Sequence, residues 1–492
     1  MTTTESRSVT SREATPAAGD RARWFALVTL LVAVFMDMLD GNVVSVAIPS
    51  IQRTLGASYS SIQWISAGYV LAFALLLITG GRLGDIYGRK RVFQTGVIGF
   101  VVASLLCGIA LNPEMLIASR LLQGAMAGLM VPQVLSIIHV TFSAGERGKV
   151  FAIYGIVGGL AATVAPLIGG VVVQANLFGL DWRPVFLMNV PIGVLGLFFG
   201  WKYITESKGE KKTRLDVLGV VLAMGFVVAL LYPLTLGHEL GWPAWTFWSI
   251  GASVVLLVAF IAFERNKERK DDAPLVPLGL FKARSFAAGN ALQLGLFMFT
   301  GAFFLAWYLF MQMGLGWTAL HAGLTALAFC VGAFITSGAS VTVLVQKFGR
   351  AVLQIGAVMT AIGLGVFLLV LSPQVSTWQM VLPLLIIGLG FGLVAPPITM
   401  FALTDVPHEH AGSASGVINT MQQLGLAFGI ALVSFVFLTP LDEATGTTAE
   451  KFATAFQPAL YSTLGLAVVI LLLTFALPKR AAEEQLETPA AA

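Results

Sequence analysis

The sequence predicts an all-α polytopic membrane protein, on three observations. Of its 492 residues 57% are hydrophobic and only 11% charged, against roughly 25% charged in an ordinary soluble domain. The apolar residues fall in blocks of about 20, the length at which a helix crosses about 30 Å of hydrocarbon. Lysine and arginine, finally, are segregated into alternate connections between the blocks.

In chain order the spans are expected near 24–48, 62–81, 92–111, 115–140, 151–173 and 184–203, then near 215–236, 245–263, 285–311, 320–345, 352–371, 379–402, 412–437 and 458–477. That makes fourteen transmembrane helices. The first block is too long for a cleaved signal peptide, follows a polar stretch (1–23) and lacks a small-residue cleavage pattern. Both ends of the chain, 1–23 and 478–492, are rich in Thr, Ser, Ala and Glu and are expected to be disordered tails. With the N-terminus inside, 25 of the 29 lysines and arginines fall on the cytoplasmic side; Arg53, Arg183 and Lys451 fall outside, and Arg120 lies within a span. Both termini are therefore expected in the cytoplasm of a multi-pass protein of the cell membrane. The net charge of +4 follows from this topology and implies no nucleic-acid partner. Cys107 and Cys330 sit inside apolar blocks as small packing residues, without a disulfide or metal-ligand pattern.

An internal repeat organises the blocks. GAMAGLMVP (124–132) and GLGFGLVAP (388–396) share Gly-x-x-x-Gly-x-x-x-Pro at an offset of 264 residues, which Gly148 and Gly412 repeat; YGRK (87–90) and FGRA (348–351) are offset by 261. Two six-helix bundles follow, at 24–203 and 285–477. The region 204–284, with helices at 215–236 and 245–263, is inserted between them. Repeats of this kind place a transporter's substrate site near the membrane midplane between the halves.

The ionisable residues inside spans are few: Asp37 and Asp40 in the first, Arg120 in the fourth. Such residues usually line a cavity or an ion path. Counting from Pro49 and Pro113, Asp40 and Arg120 lie about 13 Å and about 10 Å from the outer ends of their helices, hence at similar depth. Asp37 lies one turn deeper on the same helical face. Burial and a like-charged neighbour favour a neutral acid whereas a cation favours the carboxylate, so an acid balanced between them can load and release protons. A static pair bracing two helices is the structural alternative.

The loop GGRLGDIYGRKRV (80–92) resembles the loop between helices 2 and 3 of the major facilitator superfamily, through Gly81, Leu83, Asp85, Gly88, Arg89 and Lys90. LDGNVVSVAIP (39–49), RLLQG (120–124) and GIVGGLAATVAPLIGG (155–170) resemble the helix 1, 4 and 5 motifs of its fourteen-helix drug:proton antiporters, with Asn42, Ser45 and Ala165 departing from the pattern. The resemblance spans essentially the whole chain. It implies the major facilitator fold, with a breakable cytoplasmic latch at Gly81, Asp85, Gly88 and Arg89. It also implies an antiporter motif at Gly155, Gly159, Pro166, Gly169 and Gly170, whose glycines permit close helix approach and whose proline favours a kink. Asp40 matches the family's helix 1 acid and takes the main proton-coupling role, with Arg120 as its counter-charge; Asp37, outside the signature, tunes substrate charge preference or relays protons.

Amide and aromatic side chains in the spans are candidates for a substrate cavity: Asn42, Gln63, Trp64, Gln123, Gln293, Phe297, Phe304, Trp307, Asn419 and Gln423. Such groups suit amphipathic, including cationic, organic molecules. HEH (408–410) reads as a solvated turn in a short loop rather than a metal site, and no P-loop sequence is present. The expectation is a proton-coupled antiporter exporting hydrophobic or amphipathic compounds such as drugs and antibiotics. It is driven by the proton gradient, without a cofactor, and works as a monomer in the bilayer. Export of an endogenous lipid or metabolite is the alternative. A membrane enzyme would need a His/Asp or Ser/His cluster at a membrane face, and a channel would need charge rings or a filter-like loop; neither pattern occurs.

Overall fold

The structure, a computed structural model, describes residues 20–479 apart from 177–178, 209–215, 238–239, 271–273 and 408–409, and leaves a few side chains within helices undescribed. Its helices in the first half are α1 (Asp20–Leu55), α2 (Tyr59–Tyr87), α3 (Arg89–Gly108), α4 (Pro113–Thr141), α5 (Ala144–Ala175) and α6 (Pro184–Tyr203). Two more follow, α7 (Val217–Leu236) and α8 (Ala244–Arg269). The second half comprises α9 (Arg284–Gly314), α10 (His321–Phe348), α11 (Ala351–Val370), α12 (Thr377–Leu403), α13 (Ala411–Leu441) and α14 (Thr448–Thr474). Among the described residues there is no strand, and 13 helices are long and apolar enough to cross a membrane. The fourteenth expected span is α5, 32 residues long, several of whose side chains lie outside the described set.

Local chemistry sets several helix starts. Asn112 Oδ1 accepts the Met115 N–H at 2.8 Å, and Pro113 follows as the first helical residue, so α4 starts there. A reciprocal Thr447–Glu450 capping box starts α14 ten residues before the expected 458. α1 also departs from expectation: it runs past Pro49 to Leu55. Asp40 therefore lies about 22 Å from that helix end rather than about 13 Å, nearer mid-helix.

The repeat has a structural meaning. A Cβ on Gly124 would stand 2.2 Å from the Tyr69 carbonyl oxygen, and one on Gly388 would stand 2.0 Å from that of Phe329. One turn on, Gly128 meets the Phe73 carbonyl and Gly392 that of Ala333. The two Gly-x-x-x-Gly-x-x-x-Pro segments thus make the same contact, α4 on α2 and α12 on α10, at a distance only glycine allows. The paired turn glycines correspond as well: Gly88 and Gly349 both have positive φ, 110° and 55°.

The halves meet along two seams. At one, α2 lies on α13, where a Cβ on Gly81 would stand 2.2 Å from the Gly412 oxygen and one on Gly416 would stand 2.8 Å from that of Leu77. At the other, Gly155 of α5 faces Pro396 of α12. Helix α7 covers the first seam: Phe226, Val227, Leu230, Leu231 and Leu234 pack with Ala74 of α2 and with Leu424, Ala427 and Ala431 of α13. Helix α8 lies outermost, with 17% of its most apolar stretch buried in the protein. The face on which α2 joins α3 carries Arg82, Arg89, Lys90 and Arg91 and is called the basic face below.

Candidate functional site

Two constellations occupy the first half: a buried acid cluster and, at the basic face, the segment 80–92. That segment is not the loop expected from the sequence but the end of α2 and the start of α3, with Gly88 alone between them. In the cluster Asp40 and Arg120, 0% and 1% exposed, form an ion pair between α1 and α4. Asp40 also accepts from Gln123 Nε2 and Asn189 Nδ2, each at 2.8 Å. Arg120 Nη1 donates to Gln123 Oε1 at 2.7 Å, and its Nε donates to the Ile65 carbonyl at 3.1 Å. Gln123 Nε2 reaches Ser104 Oγ of α3 at 2.8 Å. Helices α1, α2, α3, α4 and α6 are thereby tied through one carboxylate. An ion pair so buried contributes little net stability, yet removing one partner is costly because the other charge stays desolvated.

Asp37 is held differently. Among the described residues its hydrogen-bond partner is Tyr69 of α2, whose hydroxyl donates to Oδ1 at 2.5 Å. The Tyr69 ring lies under the Arg120 guanidinium, 4.1 Å from centroid to Cζ, so one phenol touches both acids' surroundings. Asp37 is 4% exposed. The i, i+3 spacing thus places both carboxylates against α2 and α4, one met by a cation and amides, the other by a neutral hydroxyl.

At the basic face Asp85 accepts the backbone N–H groups of Gly412 at 3.2 Å and Ser413 at 3.1 Å, which open α13, and Arg89 Nη2 at 2.8 Å. A carboxylate on a helix N-terminus is favourable charge against dipole. Here it also crosses between the halves. Glu206 caps the start of α3, accepting the Lys90 and Arg91 N–H groups at 3.1 and 3.3 Å. His139 Nε2 lies 3.2 Å from the Val406 carbonyl, a further contact between α4 and the second half. The halves are joined at this face.

The remaining candidates divide. Gln123, expected in the cavity, is fully buried in the Asp40 network instead. Trp307, also 0% exposed, belongs to the core of the second half, its ring 4.9 Å from that of Tyr308. Gln293 donates to Thr399 Oγ1 of α12 at 2.8 Å and accepts from Gln422 of α13 at 3.5 Å, while Asn419 bonds back to the Ser415 carbonyl of its own helix. Phe297 and Phe304 are partly buried against the same core. The Trp64 ring lies 5.6 Å from that of Tyr232 of α7, tilted by 32°, and Gln423 is half-buried. The side chains of Asn42, Gln63, Gly159 and Pro166 lie outside the described residues, as do His408 and Glu409 of the HEH loop. Gly169 is buried and Gly170 opens onto free space. No group of three or more potential metal ligands occurs among the described residues. Tyr69, Asn189 and Ser104 escaped the sequence reading; the signal was a lone polar side chain in an apolar span, too common to single out.

Comparison with known proteins identifies the family. The family model of the Major Facilitator Superfamily matches residues 30–217 and 210–430. The chain belongs to the Major Facilitator Superfamily. It is a membrane transporter, not an enzyme. It is 41% identical over 443 residues to a probable actinorhodin transporter of Streptomyces coelicolor, covering 89% of this chain and 76% of that protein. It is 36% identical to the puromycin resistance protein pur8 of Streptomyces alboniger (88% and 84% covered), and 33% identical to the tetracenomycin C resistance and export protein of Streptomyces glaucescens (90% and 81%). In fold it is similar to a proton:xylose symporter of the superfamily, with a TM-score of 0.62 at 14% identity over 93% of this chain and 96% of that one.

Proposed function

We propose that this transporter exports hydrophobic or amphipathic organic compounds of the antibiotic type across the cell membrane, in exchange for protons, by alternating access. The observation that carries the reading is the pair of unlike acids in α1. Asp40 is saturated by Arg120, Gln123 and Asn189, whereas Asp37 has a neutral phenol. This supports a division of labour opposite to the one expected from the motif alone. Asp40 and Arg120 stay paired as the framework, and Asp37 exchanges the proton, with Tyr69 relaying its state to Arg120. The latch at Asp85 closes the basic face in this state, and releasing α13 from Asp85 opens the pathway to the cytoplasm. Gln293, Gln422 and Thr399, joined across three helices of the second half, are proposed to meet the polar end of the substrate.

Relatives named for resistance to or export of puromycin and tetracenomycin C support the substrate class. The relative named a probable actinorhodin transporter supports a transport role as well. Everted vesicles with a pH-reporting dye test the proposal. Adding a substrate should release protons from the vesicle interior, in proportion to uptake. Uptake without proton movement across a panel of compounds would refute antiport.

A further inference from the structure

The inserted hairpin ends at the basic face in a group of buried charges that the transport reading does not use. Asp216 precedes α7 and caps it, its Oδ1 accepting the Gly219 N–H at 2.9 Å. Glu264, near the end of α8, is 0% exposed, and its Oε2 accepts the Val276 N–H at 3.1 Å. The other oxygens of the two acids converge on one point: a Cβ on Gly219 would stand 2.5 Å from Glu264 Oε1 and 2.7 Å from Asp216 Oδ2. Among the described residues no donor reaches Glu264 Oε1. Among the described residues, the charged groups facing the pair are Lys267 of α8, whose Nζ lies 3.1 Å from Asp216 Oδ2, and Arg82 of α2, 2% exposed, which also faces Asp85 and whose Nε has no hydrogen-bond partner there. Glu268, one turn on, is engaged with the Gly279 N–H.

Two carboxylates brought together away from water repel each other if both are ionised. One proton between them replaces that repulsion with a charge-assisted O–H···O hydrogen bond, and gives Glu264 Oε1 the donor it lacks. Gly219 leaves the room for this meeting, since any side chain there would collide with both oxygens. We propose that Asp216 and Glu264 form a proton-binding carboxyl pair, distinct from the acids of α1, through which the inserted hairpin senses pH at the basic face. The protonated pair carries one negative charge, balanced by Lys267. Loss of the proton adds a second, which draws Arg82 toward the hairpin. Arg82 stands three residues before Asp85 on α2, so this pull acts on the helix end that holds α13.

Infrared difference spectra of the purified full-length protein, between acidic and alkaline buffer, test the pair directly. The wild type should show a carboxylic-acid carbonyl band that titrates. Glu264→Gln and Asp216→Asn should each remove it, and Asp37→Asn should leave it in place. A Glu264→Gln spectrum that superimposes on the wild type overturns the proposal. Thermal melting against pH gives a second readout. The wild type should lose stability as the pH rises from the range where free carboxyls titrate to the pair's own titration, and level off above it. Glu264→Gln, which keeps a donor without charge, should flatten that limb. An unchanged limb in folded Glu264→Gln and Asp216→Asn contradicts the proposal. Neither measurement depends on transport, so a failure of the antiport reading would leave the pair standing.

Discussion

At the scale of single residues, Arg120 is the group whose loss has the clearest physical cost. It is 1% exposed and supplies the cation for a carboxylate that is itself 0% exposed. Arg120→Ala leaves that charge buried and unpaired, with an expected cost of about 3–5 kcal/mol. The melting temperature of the detergent-purified variant should fall sharply, and one equal to the wild type would show that Asp40 is not ionised there. Tyr69→Phe is the gentler companion. It keeps the ring under Arg120 and removes the hydroxyl from Asp37, so proton coupling should weaken while expression and melting stay near wild type. That Asp37, Asp40 and Arg120 belong to one cluster was legible in the sequence, because charges in apolar spans are rare enough to find each other by elimination. That Asp40 has a full set of donors was not. Asn189 and Ser104 lie on α6 and α3, and nothing in their local sequence marks them as its surroundings.

Among the helices, the paired glycine segments carry the packing. A β-branched side chain at Gly388 would drive into the Phe329 carbonyl, so Gly388→Val should destabilise by about 1–3 kcal/mol, the usual cost of overpacking. At Gly365, in α11, an added methyl group would meet nothing within 4 Å. Gly365→Ala should therefore be neutral, or stabilising by up to about 1 kcal/mol through helix propensity. Thermal melting of both variants checks the contrast, and equal shifts would sink it. The repeat was readable because close backbone approach demands glycine whatever the neighbours are. Helix ends were less so: α14 begins at a capping box inside a segment too polar to read as part of a span, and α1 continues through Pro49. The segment 80–92, expected as a loop and found as the α2–α3 junction, lies between these cases. Its pattern announced a latch, and the structure places Asp85 on the N-terminus of α13. Asp85→Asn keeps a hydrogen-bond acceptor but removes the charge facing the helix dipole. Transport in vesicles should fall several-fold with the protein still in the membrane, and an unchanged rate would reduce the segment to a marker of topology.

For the molecule as a whole, two halves joined at the basic face and a hairpin laid over one seam describe one state of the proposed alternating-access cycle. In the sequence the halves are an expectation carried by the repeat, and the hairpin an expectation carried by surplus spans between them. The sequence could not show where the hairpin docks, since a helix apolar on all sides carries no record of its neighbours. In the proposed cycle, exchange of a proton at Asp37 drives export. Substrate-driven proton flux in proteoliposomes, compared between wild type, Asp37→Asn and Asp40→Asn, isolates that step. Asp37→Asn should abolish the flux while downhill substrate equilibration survives, and Asp40→Asn should impair folding and transport together. Full substrate-driven proton flux in Asp37→Asn, at the wild-type ratio of protons to substrate, would contradict the assignment of the proton to Asp37.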